Sequence, residues 1–119
     1  MKKLTGLAGA IAVIFTTGQS LAADNQAYLT AQKAALILAD GHPWSATGPD
    51  GKAFKITLNL DGTGNIRGPL PFPISLTWSV ENETICILGK MGAKCLRFRV
   101  VPGGLQGWDG EKPNLKFTR

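Results

Sequence analysis

This sequence predicts a mainly β protein: a small antiparallel meander or β-barrel of seven to eight strands, preceded by one N-terminal α-helix. Three observations carry that expectation. From Pro43 onward apolar residues recur at every second position in short runs, the pattern of half-buried strands. The runs are separated by explicit turn chemistry, such as Gly48-Pro49-Asp50-Gly51 and Asp61-Gly62-Thr63-Gly64, and none by a helix-length segment. A meander of this kind exposes unpaired edges unless it curls shut, so closure into a barrel follows.

The first residues read differently. The stretch MKKLTGLAGAIAVIFTTGQSLAADNQ has two lysines, an apolar run from Leu4 to Phe15, and a polar segment ending in small residues. That order is a secretory signal peptide. Its apolar run is too short to span a bilayer, which takes roughly 20 residues, so residues 1–23 are expected to be an export signal cleaved after Ala22 or Ala23. No cysteine follows the run to accept a lipid. The expected mature chain, 24–119, is one domain without a transmembrane segment, periplasmic or secreted, and large enough for a single small core.

Within that domain a helix is expected over 25–40. Asp24 offers an N-cap and Gly41 a left-handed C-cap, and Tyr28, Leu29, Ala35, Leu36 and Ala39 recur at helical spacing. Only Lys33 is basic on the polar face, so the helix suits plugging or flanking a larger body better than lying on a membrane. Strands occupy 43–119. The first lies around Trp44 to Thr47. In the next, Phe54, Ile56, Leu58 and Leu60 alternate with Lys55, Thr57 and Asn59. After the connection bearing Pro69, Pro71 and Pro73, the residues Ile74, Leu76, Trp78 and Val80 alternate with Ser75, Thr77 and Ser79. TICIL, CLRFRVV, LQGW and NLKFTR complete the series.

The two cysteines flank a glycine-bracketed turn in TICILGKMGAKCLRFR. With Lys90 and Met91 at the centre of that turn, Cys86 faces Cys95 at a non-hydrogen-bonded pair, where side chains approach most closely. A structural disulfide fits this register and the oxidising compartment that export supplies; free thiols are the alternative. Redox catalysis favours Cys-x-x-Cys, which is absent. A zinc site would want about four ligands, and His42 is the only histidine, so no metal and no cofactor is expected. In the same register Ile85, Ile87, Leu96, Phe98 and Val100 point inward, with Cys95, Arg97 and Arg99 outside.

Charge is uneven, with basic residues concentrated beyond residue 89. Arg97 and Arg99, with Lys94 and Lys116, are expected to form an outward basic stripe that meets an anionic protein or envelope component; a plain solvated face is the competing reading. Nucleic acid is not expected for an exported chain this weakly charged. No catalytic set assembles: His42 has no nucleophile turn beside it, and Glu81, Glu83, Asp109 and Glu111 lie in or beside turns, so enzymatic activity is not expected. Trp44, Trp78 and Trp108 read as core or barrel-end residues, with a ligand-stacking wall as the sharper alternative.

The combination of a helix ending in glycine, GHPW, LDGTG, WSVENETIC and a second cysteine across the hairpin resembles small exported bacterial domains of unknown function with a G-x-x-W, D-G-T, W-x-V-x(5)-C pattern. Trp44 near the first strand and Arg119 at the end of the last are similar to the calycin arrangement of lipocalins and avidins. That resemblance implies an arginine packed over a tryptophan that closes the barrel. Exported inhibitors of proteases and lysozyme use small disulfide-bearing barrels as well.

Together these readings predict an exported, non-enzymatic binding domain, inhibitor-like, acting on an envelope component or protein partner. The alternative is a small-molecule carrier with an apolar calyx. Phe54, Ile56, Leu58, Leu76, Trp78, Leu96, Phe98 and Phe117 supply bulk enough to fill an eight-stranded interior, which favours the first. A cavity of a few hundred Å³ would favour the second.

Overall fold

The computed structural model describes residues 27–69, 71–90 and 92–119; the export signal expected over 1–23 lies outside them. A helix, α1 (Ala31–Leu38), precedes eight strands: β1 (Trp44–Thr47), β2 (Ala53–Leu58), β3 (Thr63–Arg67), β4 (Ile74–Glu81), β5 (Thr84–Gly89), β6 (Gly92–Val101), β7 (Gly104–Asp109) and β8 (Lys112–Thr118). Each strand pairs with the next, and β1 pairs with β8 through Ser45↔Thr118 and Ala46↔Phe117. The antiparallel meander is thereby closed into a barrel. Of the eight strands, β3 is the one that alternation marks most weakly. Its inward positions are Gly64 and Ile66, facing Leu58 and Ile56, so a single apolar side chain carries its pattern. The preceding strand stops at Leu58 rather than Leu60, which is exposed in the turn.

The helix is shorter than expected and begins later. Thr30, not Asp24, is its N-cap, accepting a hydrogen bond from Lys33 N at 3.1 Å. Residues 28–30 stay outside the helix because tertiary pairing outcompetes helix propensity there. The β5 ladder reaches only as far as Ile85↔Leu96, so the later part of β6 lacks a neighbour on that side, and Leu29 N–H bonds to Phe98 O at 2.8 Å. Tyr28 and Leu29 therefore leave the expected helical stripe. Ala31, Ala34, Ala35 and Leu38 form the buried face instead, and Leu36 is exposed. Three alanines on one face let the helix approach the barrel closely, and it packs across the ends of β4, β5 and β6.

The core occupies the half of the barrel next to the helix. Leu38, Ile56, Leu58, Ile85, Leu96, Phe98 and Phe117 are almost completely buried, with Phe98 and Phe117 in edge-to-face contact at 5.6 Å. Gly107 is required in this layer: a Cβ there would stand 2.9 Å from both Leu115 O and a Leu96 methyl. Opposite it β8 bulges, and Gln106 Nε2 donates to Asn114 O and Gly107 O, satisfying carbonyls that the bulge displaces. Val100 departs from the expected inward set. It lies beyond the core layer at the helix end and is exposed.

Candidate functional site

The two ends of the barrel are built from different residues. At the helix end, Trp44 is buried beneath α1, and its indole Nε1 donates to Leu38 O at 3.0 Å, satisfying one of the carbonyls that a helix C-terminus leaves unpaired. Arg119 stacks its guanidinium 3.7 Å above the Trp44 ring. From there it reaches Asp40 with two bonds of 2.7 and 2.6 Å and His42 O with one of 2.9 Å. Arg119 thus covers the Trp44 ring at this end of the barrel. The fork of bonds holds the Asp40 carboxyl down to about 2, well below its ordinary 3.8, because Arg119 stabilises the charged form and His42 N–H adds a further bond. Trp78 belongs to the same end, donating to Asn59 O at 2.7 Å.

At the opposite end, where β1 leads to β2, β3 to β4, β5 to β6 and β7 to β8, a cavity of about 510 Å³ opens into the barrel. Phe54, Ile56, Ile66, Ile74, Leu76 and Leu115 form its wall. The expectation that bulky residues fill the interior is corrected here. Inward positions near this mouth include Gly89 and Gly92, which face each other across β5 and β6, and a glycine pair contributes no side chain to the space between the sheets. Gly89 has backbone angles open to any residue, and a Cβ there would meet only Leu76 Cβ, at 3.8 Å. The bulk expected to fill the barrel lies mostly toward the helix end. None of the three tryptophans lines the cavity. The signal that marks this site in the sequence is the pair of glycines bracketing Lys90 and Met91, both on the inward parity of their strands.

The remaining predicted residues fall in several places. Cys86 and Cys95 face each other and are joined as a disulfide on the outer face of β5 and β6. Lys94 is corrected. It is the register partner of inward Ile87, shares the parity of Leu96 and Phe98, and lines the cavity mouth with Lys90. It does not belong to the outer stripe. Arg97 and Arg99 do face outward, but neither is a freely solvated charge. Their guanidinium carbons lie 4.1 and 4.2 Å from the Tyr28 ring centroid, and Arg99 also stacks at 4.7 Å on Trp108. The segment 28–30 thus straps the outer barrel face through cation–π contacts. Lys116 is exposed on β8, paired with Thr47 and Gln106, away from Lys94. Sequence spacing does not reveal this strap, because Tyr28 shares the helical period of the residues that follow it. His42 is exposed and lies at the closed end. Glu81 and Glu83 are at that end too, while Asp109 and Glu111 lie by the mouth, so these acids divide between the two ends. Among the described residues no cluster of three metal-ligating side chains occurs, and no helix is long and apolar enough to cross a membrane. No family model, curated protein or solved structure matches the chain.

Proposed function

We propose that this protein is an exported, non-enzymatic carrier that holds a small apolar molecule in the calyx at the open end of its barrel. The observation that supports this reading is the cavity of about 510 Å³ with apolar walls, open at one end of a barrel whose other end is plugged. Its size lies within the few hundred to about 1,000 Å³ typical of small-molecule sites. Exclusion of water from such walls drives binding without specific hydrogen bonds. The disulfide fits the oxidising compartment that the N-terminal sequence implies. A docking surface on Arg97 and Arg99 has less support, because Tyr28 and Trp108 cover both guanidinium groups.

The test is to fill the mouth. Gly89→Leu adds a branched side chain at an inward position where the backbone tolerates it. An environment-sensitive apolar dye such as N-phenyl-1-naphthylamine should bind the wild-type protein with enhanced fluorescence and fail to bind the variant. Equal dye binding by both proteins would overturn the calyx reading.

A further inference from the structure

We propose that the ligand of this calyx is an amphiphile, a single apolar chain ending in one anionic head group that pairs with Lys94 and Lys90 at the mouth. The inference rests on the calyx reading and adds the chemistry of the head group. Its first support is the register. Lys94 stands opposite Ile87 on the inward face of β6, continuing the row of Leu96 and Phe98. An inward strand position above an apolar wall ordinarily carries an apolar residue, since a desolvated ammonium is costly. At Lys94 the four-carbon stem can lie along that wall while the charge reaches water at the rim, and the residue is exposed at the mouth.

The second support is electrostatic. Lys90 lines the same mouth from the hairpin. Neither lysine has a carboxylate partner among the described residues, where the ion pair present is Asp40–Arg119 at the far end. Arg67 and Lys55, register partners on β3 and β2, lie on the outer face of this end rather than at the mouth, and Lys55 Nζ donates to Ser45 Oγ at 2.7 Å. The acids at this end are Asp50, Asp109 and Glu111. Asp50 is turned to its own hairpin, accepting from Lys52 N at 3.0 Å, and Asp109 is the register partner of Lys112. A cavity with apolar walls and unpaired cations at its lip matches a molecule that is apolar along its length and anionic at one end. Beside such walls the local dielectric is lower than that of water, so attraction between ammonium and anion is stronger than on an open surface.

The experiment compares four probes of equal chain length below their critical micelle concentrations: tetradecanoate, tetradecyl phosphate, tetradecanol and tetradecyltrimethylammonium. Dissociation constants are measured directly, by isothermal titration calorimetry, for the wild type, for Gly89→Leu and for the Lys90→Gln, Lys94→Gln double variant. The expected result is that at least one anionic probe binds the wild type about tenfold or more tighter than the alcohol. The two anionic arms then separate a carboxylate from a phosphate head. The double variant should lose that preference while keeping its affinity for tetradecanol, and Lys94→Glu should shift preference toward the ammonium probe. Anions and alcohol binding alike, with all binding abolished by Gly89→Leu, would overturn the head-group inference and leave the calyx standing. Probe binding that Gly89→Leu does not alter would overturn both.

Discussion

The closed and open ends of this barrel share strands, pleat and alternation, yet one is tied by every device the chain has and the other by almost none. At the closed end the helix, Trp44, Arg119, Asp40 and Trp78 are linked by hydrogen bonds and stacking, and Leu38, Leu58, Phe98 and Phe117 are almost wholly buried. At the open end Phe54, Ile66, Ile74 and Leu115 are only partly buried, and Phe72 on the rim connection is exposed. A closed barrel supports this division because every strand is hydrogen-bonded to a neighbour on both sides over most of its length. One end can then go without a packed core while the ladder still holds its walls. Stability is concentrated away from the cavity.

If that division is correct, the largest loss of stability should come from the closed end. Trp44→Ala removes a buried aromatic that contacts Phe117 edge-on at 6.5 Å, the bond to Leu38 O, and the platform beneath Arg119. It should cost about 3–5 kcal/mol in denaturant unfolding. The Gly89→Leu change at the mouth should alter unfolding by less than about 1 kcal/mol. Comparable losses from the two substitutions would show that the ends are not energetically distinct.

The disulfide lies on the outer face between the two ends and tests the comparison at an intermediate scale. Cys86 and Cys95 close a short loop on a hairpin already held by its own ladder. In the chain-entropy account such a loop contributes about 2.5–3 kcal/mol through the unfolded state. Cys86→Ser should lower stability by about that amount in urea titration. Dye binding should persist, because neither cysteine lines the cavity. Loss of dye binding in a folded Cys86→Ser variant would instead tie the mouth to the disulfide.

How much of this was legible in the sequence also differs between the two ends. The hairpin at Lys90 and Met91 set the Cys86–Cys95 register by counting alone, and the same alternation placed Leu96 and Phe98 inside. Summed bulk is a different kind of argument and misled. It treats inward residues as filling one volume, whereas position along the strand decides which half they fill. Phe98 and Phe117 pack next to the helix, while Gly89 faces Gly92 at the mouth. Lys94 shows a related error. Its charge suggested the outside, yet its parity is that of Leu96, and parity is the stronger rule because reversing one residue would require a bulge. The strap of residues 28–30 was not legible, since its conformation depends on a free edge of β6 that only closure of the barrel defines.

The smallest expected effect probes the closed end through pH. Asp40 and Arg119 are about one-third exposed, at 32% and 37%, so solvent screens their pairing and the expected contribution is about 1 kcal/mol despite the two-pronged geometry. The Asp40 carboxyl ionises at about 2 in the folded chain and near 3.8 when released from Arg119. The folded state therefore binds fewer protons than the unfolded state in that interval, and acid favours unfolding. The contribution is complete above about pH 4 and is lost as the pH falls through about 2. Asp61, held by Thr63 Oγ1 at 2.6 Å and Thr63 N at 3.0 Å, is shifted in the same direction from the turn between β2 and β3. Asp40→Asn should be slightly less stable than wild type at neutral pH, and the two unfolding curves should converge near pH 2, as followed by tryptophan fluorescence, which reports on Trp44 in this cluster. A difference that stays constant across the acid range would mean that Asp40 acts through hydrogen-bond geometry and packing rather than through its charge.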